Sequence, residues 1–323
     1  MKILLACPGF ENPTCGIGNY SKQFAEALGT LGQQVICYGG PLIGLYDRML
    51  EFQPEVVHIQ FEYGWASPER LAIISRQCAQ LKIKLVVTMH SVGPTVAHNW
   101  VLANEDCAVV VHQEIQRQFF LKNATHIPLA IPYVEASPAA ITIPRVEGVA
   151  RVGWFGNCFY HKGLHDLLDG LKDATTVELL VLGGKPTHSV SYYDRCREIA
   201  KEAIAKVYWY NAYLPDSHVV AHLKSCDAII FPYSEYGATG CSAALRLALN
   251  AERLCCVTNS SHFADVLFLK KQVVATYPLP PCLSKPGSSE VKGIIKEANK
   301  LRQAWSFLSI VSQHIEKVYG PGR

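Results

Sequence analysis

Residues 151–184, RVGWFGNCFYHKGLHDLLDGLKDATTVELLVLGG, restrict the fold more than any other part of the chain. They read as strand, loop, helix and strand. Residues 151–155 are short and apolar, and 156–162 form a loop carrying Lys162. Leu164, Leu167, Leu168 and Leu171 then share one helical face. Residues 178–182 are a second apolar run, closed by Gly183-Gly184. This βαβ unit begins near the middle of a chain that has already opened with another. Residues 2–6 are an apolar strand, 7–15 a loop and Gly16-Ile17-Gly18 a glycine turn. Tyr20, Phe24, Ala27, Leu28 and Leu31 keep helical spacing before a strand at 34–38. Two nucleotide-binding folds in one chain imply a cleft between them, where function is to be sought.

Length agrees: 323 residues hold two domains of about 150 residues each. Further strands are expected at 56–60, 85–89 and 108–111, with helices at 68–81 and 114–121. Runs of Val, Ile and Leu without alternation mark strands buried on both faces, hence a parallel sheet. Its carboxyl edge displays Phe10 and Glu11, then Glu62 and Tyr63, then His90 and His112. Proline and small residues thicken from 127 to 144 as a linker. Beyond it, strands at 207–210, 227–232 and 254–257 alternate with helices at 215–224 and around 241–249, the latter after a loop at 237–240. The tail, 290–319, reads as one helix with Trp305, Leu308, Val311 and Ile315 on a face. The expected domains are 1–140, 141–302 and a returning C-terminal helix, 303–323.

A net charge of +3 without a Lys/Arg run gives no nucleic-acid signal. The apolar start is strand-length, and no run is long enough to span a membrane, although peripheral contact with one stays open. Twelve cysteines scattered through apolar segments, with no CxxC, fit buried thiols in a reducing, cytoplasmic setting. A monomer or weak dimer is expected.

Several segments resemble the GT-B glycosyltransferases, in particular the retaining family 4. CGIGNYSKQFAEALGTLGQQV is similar to that family's glycine-loop-plus-helix start, and EVVHIQFEYG and LVVTMHS to its next strand ends. WFGNCFYHKGLHDLL is similar to its phosphate segment, YLPDSHVVAHLKSCDAIIFPY to its late helix and strand, and the last helix to the one that crosses back. The resemblance spans nearly the whole chain. It implies an α/β fold of two Rossmann-like parallel-sheet domains facing across a cleft, and a metal-independent retaining enzyme. Such an enzyme moves a hexose from a nucleotide diphosphate sugar to a hydroxyl acceptor, with no cofactor. Two departures stand out. The arginine that the family places after its loop glycine is Asn157 here. Of its E-x7-E motif only Glu235 is present, the residue eight on being Ala243.

The resemblance and the chemistry of phosphate together nominate the site. His90, Lys162 and Arg246 form the catalytic set: a contact to the donor, a point charge, and a guanidinium fork replacing the missing arginine. Donor binding is assigned to Gly16, Gly18, Asn157, Lys162, Glu235, Thr239, Gly240, Cys241, Ser242 and Arg246. There a helix starting near Thr239-Gly240 would add N–H groups and a positive dipole end. The two glycines near the start also read simply as a tight turn. Phe10, Glu11, Glu62 and Tyr63 are assigned to the acceptor. The sequence contains no Asp-x-Asp for a catalytic Mg²⁺. His161, His165 and Asp169 recur every four residues but lack a coherent set of further ligands, and no metal site is expected. Two rival readings remain beside the transferase: a non-catalytic module that binds nucleotide sugar, and a sugar-nucleotide epimerase on the same fold.

Overall fold

The computed structural model describes residues 1–93, 96–120, 124–138, 143–185, 189–235, 239–277 and 287–320. The chain divides into two compact units. The first comprises Met1–Ala130, Gly237–Cys241 and Trp305–Arg323, and the second Ile131–Tyr236 and Ser242–Ala304. The change of unit falls inside the proline-rich stretch. Ile127, Leu129 and Ala130 are buried in the first core, so the chain leaves that unit only after them.

The first unit is built on a six-stranded sheet of β1 (Lys2–Ala6), β2 (Gln34–Tyr38), β3 (Val56–Phe61), β4 (Lys84–Met89), β6 (Ala108–Val111) and β7 (Ala124–His126). Every pairing is parallel, in the order β2-β1-β3-β4-β6-β7. Two further short strands, β5 (Ser91–Val92) and β12 (Thr239–Gly240), pair antiparallel. All of β3 is buried, and its alternate residues serve opposite faces. Val57, Ile59 and Phe61 enter a core with Leu45, Met49, Leu71 and Ile74, whereas Val56 faces Phe24, Leu28, Ile310 and Val311. The helix Gly16–Thr30 and the last helix, Phe307–His314, therefore cover one face together.

The helical tail is two helices rather than one. Ser289–Ala304 belongs to the second unit, and Ser306 caps a new helix, its hydroxyl accepting from the Ser309 N–H at 3.4 Å. That break rotates the buried face: Ile310 is fully buried, while Leu308, expected inside, is 47 % exposed.

The second unit holds β8 (Ala150–Phe155), β9 (Val177–Leu182), β10 (Lys206–Tyr210), β11 (Ala228–Phe231), β13 (Leu254–Val257) and β14 (Ala275–Thr276). They form a parallel sheet in the order β10-β9-β8-β11-β13-β14. This is the order of dinucleotide-binding Rossmann sheets, with its reversal between β8 and β11. Helices Leu164–Gly170, Val190–Glu202 and Ser289–Ala304 supply the apolar partners of Trp154, Leu179 and Val181. Arg151 and Glu178, facing residues of β8 and β9, form a fully buried ion pair. Arg151 also donates to the carbonyls of Ile143 and Pro144 at 2.9 Å, tying the incoming connection to the sheet.

Candidate functional site

Each sheet presents a carboxyl edge with its own constellation. In the second unit the edge gathers at the β8/β11 reversal, the position where open α/β sheets bind ligands. β8 runs into Gly156 and Asn157, and a 3₁₀ turn at Tyr160–Lys162 follows. Gly163 closes that turn with φ +66°, and a Cβ there would lie 1.8 Å from the Pro232 carbonyl oxygen. Only glycine permits both that conformation and that approach. The turn is thereby pressed against the residues leaving β11, and the Lys162 ammonium sits 4.0 Å from the centre of the Tyr233 ring. No carboxylate pairs with Lys162 among the described residues. The imidazoles of His161 and His262 stack nearly parallel at 5.6 Å, and both meet the Tyr233 ring edge-on. Burial, then the Lys162 charge, pushes each down to about 4, so both are neutral near pH 7. The Glu235 carboxylate is held by the Ser261 backbone N–H at 2.6 Å and its hydroxyl at 2.7 Å.

In the first unit the edge centres on His90, just past β4. Its Nε2–H donates to Gln60 Oε1 at 2.7 Å, and Gln60 Nε2 donates on to His58 Nε2 at 3.4 Å. That nitrogen also accepts from the Thr88 hydroxyl at 2.7 Å, so His58 carries its proton on Nδ1 and donates it to the Tyr319 oxygen at 2.6 Å. The chain of bonds assigns the tautomer of His90, leaving Nδ1 as an acceptor with no partner among the described residues. Burial lowers its pKa to about 3, which keeps the ring neutral. The His90 ring lies 5.2 Å from both the Tyr20 and His112 rings. Alongside, the Ser91 hydroxyl donates to the Glu62 carboxylate at 2.6 Å, and the Tyr63 hydroxyl donates to Asn99 and accepts from the Gly93 N–H.

No known family's sequence model matches the chain, and no curated protein matches it. Solved structures do. Sucrose-phosphate synthase from Thermosynechococcus elongatus aligns with a TM-score of 0.75 at 14% identity, over 97% of either chain. HepE from Anabaena, solved in complex with UDP and glucose, aligns with a TM-score of 0.68 at 13% identity, over 97% of this chain and 98% of its own. The lipopolysaccharide outer core galactosyltransferase WaaB gives 0.64 at 13% identity, over 97% of both. These are GT-B proteins. The chain has the GT-B fold.

Within the GT-B frame, the residues nominated from sequence fall into separate groups. Lys162 and Glu235 lie at the edge of the second sheet, and Asn157 is exposed beside them. Three assignments need correction. Arg246 is not at an edge: its side chain is 1% exposed and its guanidinium is paired with Asp265, itself 3% exposed. Thr239, Gly240 and Cys241 do not open a helix of the donor domain. They belong to the first unit, where Thr239 pairs with Val92, Gln116 donates to the Thr239 carbonyl at 2.9 Å, and the Cys241 thiol reaches the His112 carbonyl. The helix starts later, at Ala243, with the Ser242 hydroxyl accepting from the Leu245 N–H. The rest of the expected loop, Gly237 and Ala238, lies outside the described residues.

The early glycines also separate. A Cβ on Gly18 would come 2.1 Å from the Gly9 oxygen, so this glycine seats the helix against the preceding loop; Gly16 is exposed with open space around it. Glu11 is exposed and, with Phe10, borders Gly39 at the end of β2, apart from the Glu62–Ser91 pair. His161 and His165 have different neighbours, the first stacking on His262 and the second bonding the Tyr192 hydroxyl at 2.9 Å. Missed entirely were His58, Gln60, Tyr233 and His262. The signal for the first two was visible: polar residues at alternate positions of an otherwise apolar strand must share a face and find partners.

Proposed function

We propose that the chain is a glycosyltransferase that moves a hexose from a nucleotide diphosphate sugar to a hydroxyl acceptor, with retention and without a metal. The observation that carries this is Lys162: a half-buried ammonium with no carboxylate partner among the described residues, held by Gly163 at the reversal of the second sheet. Such a charge is suited to a diphosphate, and it stabilises the negative charge that grows on the leaving group as the glycosidic bond breaks. The solved structures of like fold support the reading, since they include transferases and a complex with UDP-glucose. His90 supplies a neutral imidazole whose Nδ1 accepts a hydrogen bond from a sugar hydroxyl. No side chain is assigned as nucleophile; the leaving phosphate takes the acceptor proton on the same face. Glu62, fixed by Ser91, orients acceptor hydroxyls.

The test is donor binding and turnover with UDP-, ADP-, GDP- and dTDP-sugars, with and without EDTA, in the parent protein and in Lys162→Ala. Loss of a charge-assisted bond costs about 1.5–3 kcal/mol, roughly a ten- to hundredfold weaker Kd. Donor binding unchanged in Lys162→Ala would remove the basis of the proposal. EDTA-sensitive turnover would remove its metal independence, and an inverted product anomer its retention. A non-catalytic nucleotide-sugar module is the second reading, favoured by the sequestration of Arg246 and by Asn157 at the arginine position. Binding without hydrolysis or transfer would select it.

A further inference from the structure

The phosphate edge of the second unit carries more latent charge than Lys162 alone. Around the Tyr233 ring stand Lys162, 4.0 Å from its centre, and the stacked pair His161 and His262. The ring is fixed by a 3.2 Å contact between its hydroxyl and that of Ser242. His262 Nδ1 lies 3.1 Å from the Ser260 hydroxyl, and its Nε2 has no hydrogen-bond partner among the described residues. Both histidines come from turns that meet here, Tyr160–Lys162 and Ser261–Phe263. Among the described residues, the titratable groups seen to face them are Lys162, Glu235, the Tyr233 phenol and each other. Glu235, the one carboxylate among these, is turned onto Ser261.

We propose that binding of a nucleotide diphosphate sugar takes up one proton, held by the stacked His161–His262 pair, which thereby gains a single positive charge against the diphosphate and supplies the cation that Asn157 does not. The proposal rests on the donor reading of this edge. The physical reason is a reversal of sign. In the free protein, burial beside the Lys162 ammonium disfavours a second positive charge. A bound diphosphate brings negative charge to the same spot, neutralises Lys162 and offers oxygens to an imidazolium N–H. The balance is simple: protein, donor and one proton give a complex in which a ring nitrogen holds that proton and donates it to a phosphate oxygen.

The experiment is calorimetric titration with UDP-, ADP-, GDP- and dTDP-sugars in two buffers of different ionisation enthalpy. A nucleotide sugar is esterified at both ends of its diphosphate, so it lacks the phosphate proton that titrates near about pH 6 in a terminal phosphate and would mimic uptake. By linkage, one histidine moving from about 4 to at least about 6.5 gives roughly tenfold tighter binding at about pH 5.5 than at about pH 7.5. The expected result is that gain, with buffer-dependent heats showing proton uptake, and with both signatures reduced in His161→Gln and in His262→Gln. Binding of any donor without proton uptake by the parent protein overturns the inference and leaves the donor reading standing; this needs no variant to fold. Uptake that persists in the double variant also overturns it, by placing the proton elsewhere. Failure of every donor to bind at either pH overturns the donor reading and the inference with it.

Discussion

Removing Arg246 should destabilise the second unit rather than merely weaken a ligand contact. The guanidinium and the Asp265 carboxylate are 1% and 3% exposed, so truncating either removes the opposite charge from a buried charged group. Breaking such a pair costs about 3–5 kcal/mol, whereas replacing both partners by apolar side chains of similar volume is often neutral or favourable by about 1–4 kcal/mol. Arg246→Met and Asp265→Leu should therefore each lose roughly 3–5 kcal/mol, and the double variant should recover most of it. Urea unfolding followed by tryptophan fluorescence reads this directly, because Trp154 and Trp209 both lie in the second unit. The double variant should also bind donor as the parent does. If Arg246→Met instead stays within about 1 kcal/mol of the parent while donor affinity collapses, the guanidinium faces the ligand and the buried-pair reasoning is refuted.

Gly163→Ala should destabilise by at least about 1–2 kcal/mol from the left-handed backbone alone, and should also weaken donor binding, because the Pro232 carbonyl must move and Lys162 with it. Thermal melting and donor titration on one sample check both; a variant with parental affinity would show that the turn does not set Lys162. Acid should destabilise the first unit steeply. His58, His90 and His314 titrate well below 6.5 in the fold, chiefly through burial, so below about pH 6.5 the unfolded chain binds protons that the fold refuses. Each histidine then removes about 1.4 kcal/mol per pH unit, and denaturant midpoints measured from about pH 7 to pH 5 should fall accordingly. A flat profile would contradict the burial of these rings. Tyr319→Phe should cost about 1–3 kcal/mol by orphaning the His58 Nδ1–H, and hydrogen exchange should report loosening of the last helix.

The fold was legible because its signals are local. Buried parallel strands such as β3, β4 and β13 are short and dominated by Val, Ile, Leu and Cys, and helix Gly16–Thr30 advertises its period. Helix Val190–Glu202 is hard to read because charged residues interrupt its buried stripe of Tyr192, Tyr193 and Cys196, and β7, of three residues, is too short for any period to show. The site was less legible, since its partners are set by topology. Lys162 could be named from its loop, but nothing in the sequence says that Gly163 packs on Pro232 there or that Tyr233 and His262 stand beside it. Arg246 was misread for the same reason. A lone cation on a helix looks like a ligand until Asp265, nineteen residues on, is seen to face it. Thr239–Gly240 shows the limit most plainly: a glycine-rich loop of the second half supplies a strand to the first unit.

That the first unit is assembled from three separated segments has a consequence for biosynthesis. Its core includes Ile310, Val311, Val318 and Tyr319, all translated after every residue of the second unit. The first unit must therefore wait for them with part of its sheet face uncovered and His58 lacking its tyrosine. Contacts of such long sequence separation form late and slowly. The apolar face of Phe24 and Leu28 is the surface a nascent-chain chaperone would have to shield until those residues arrive.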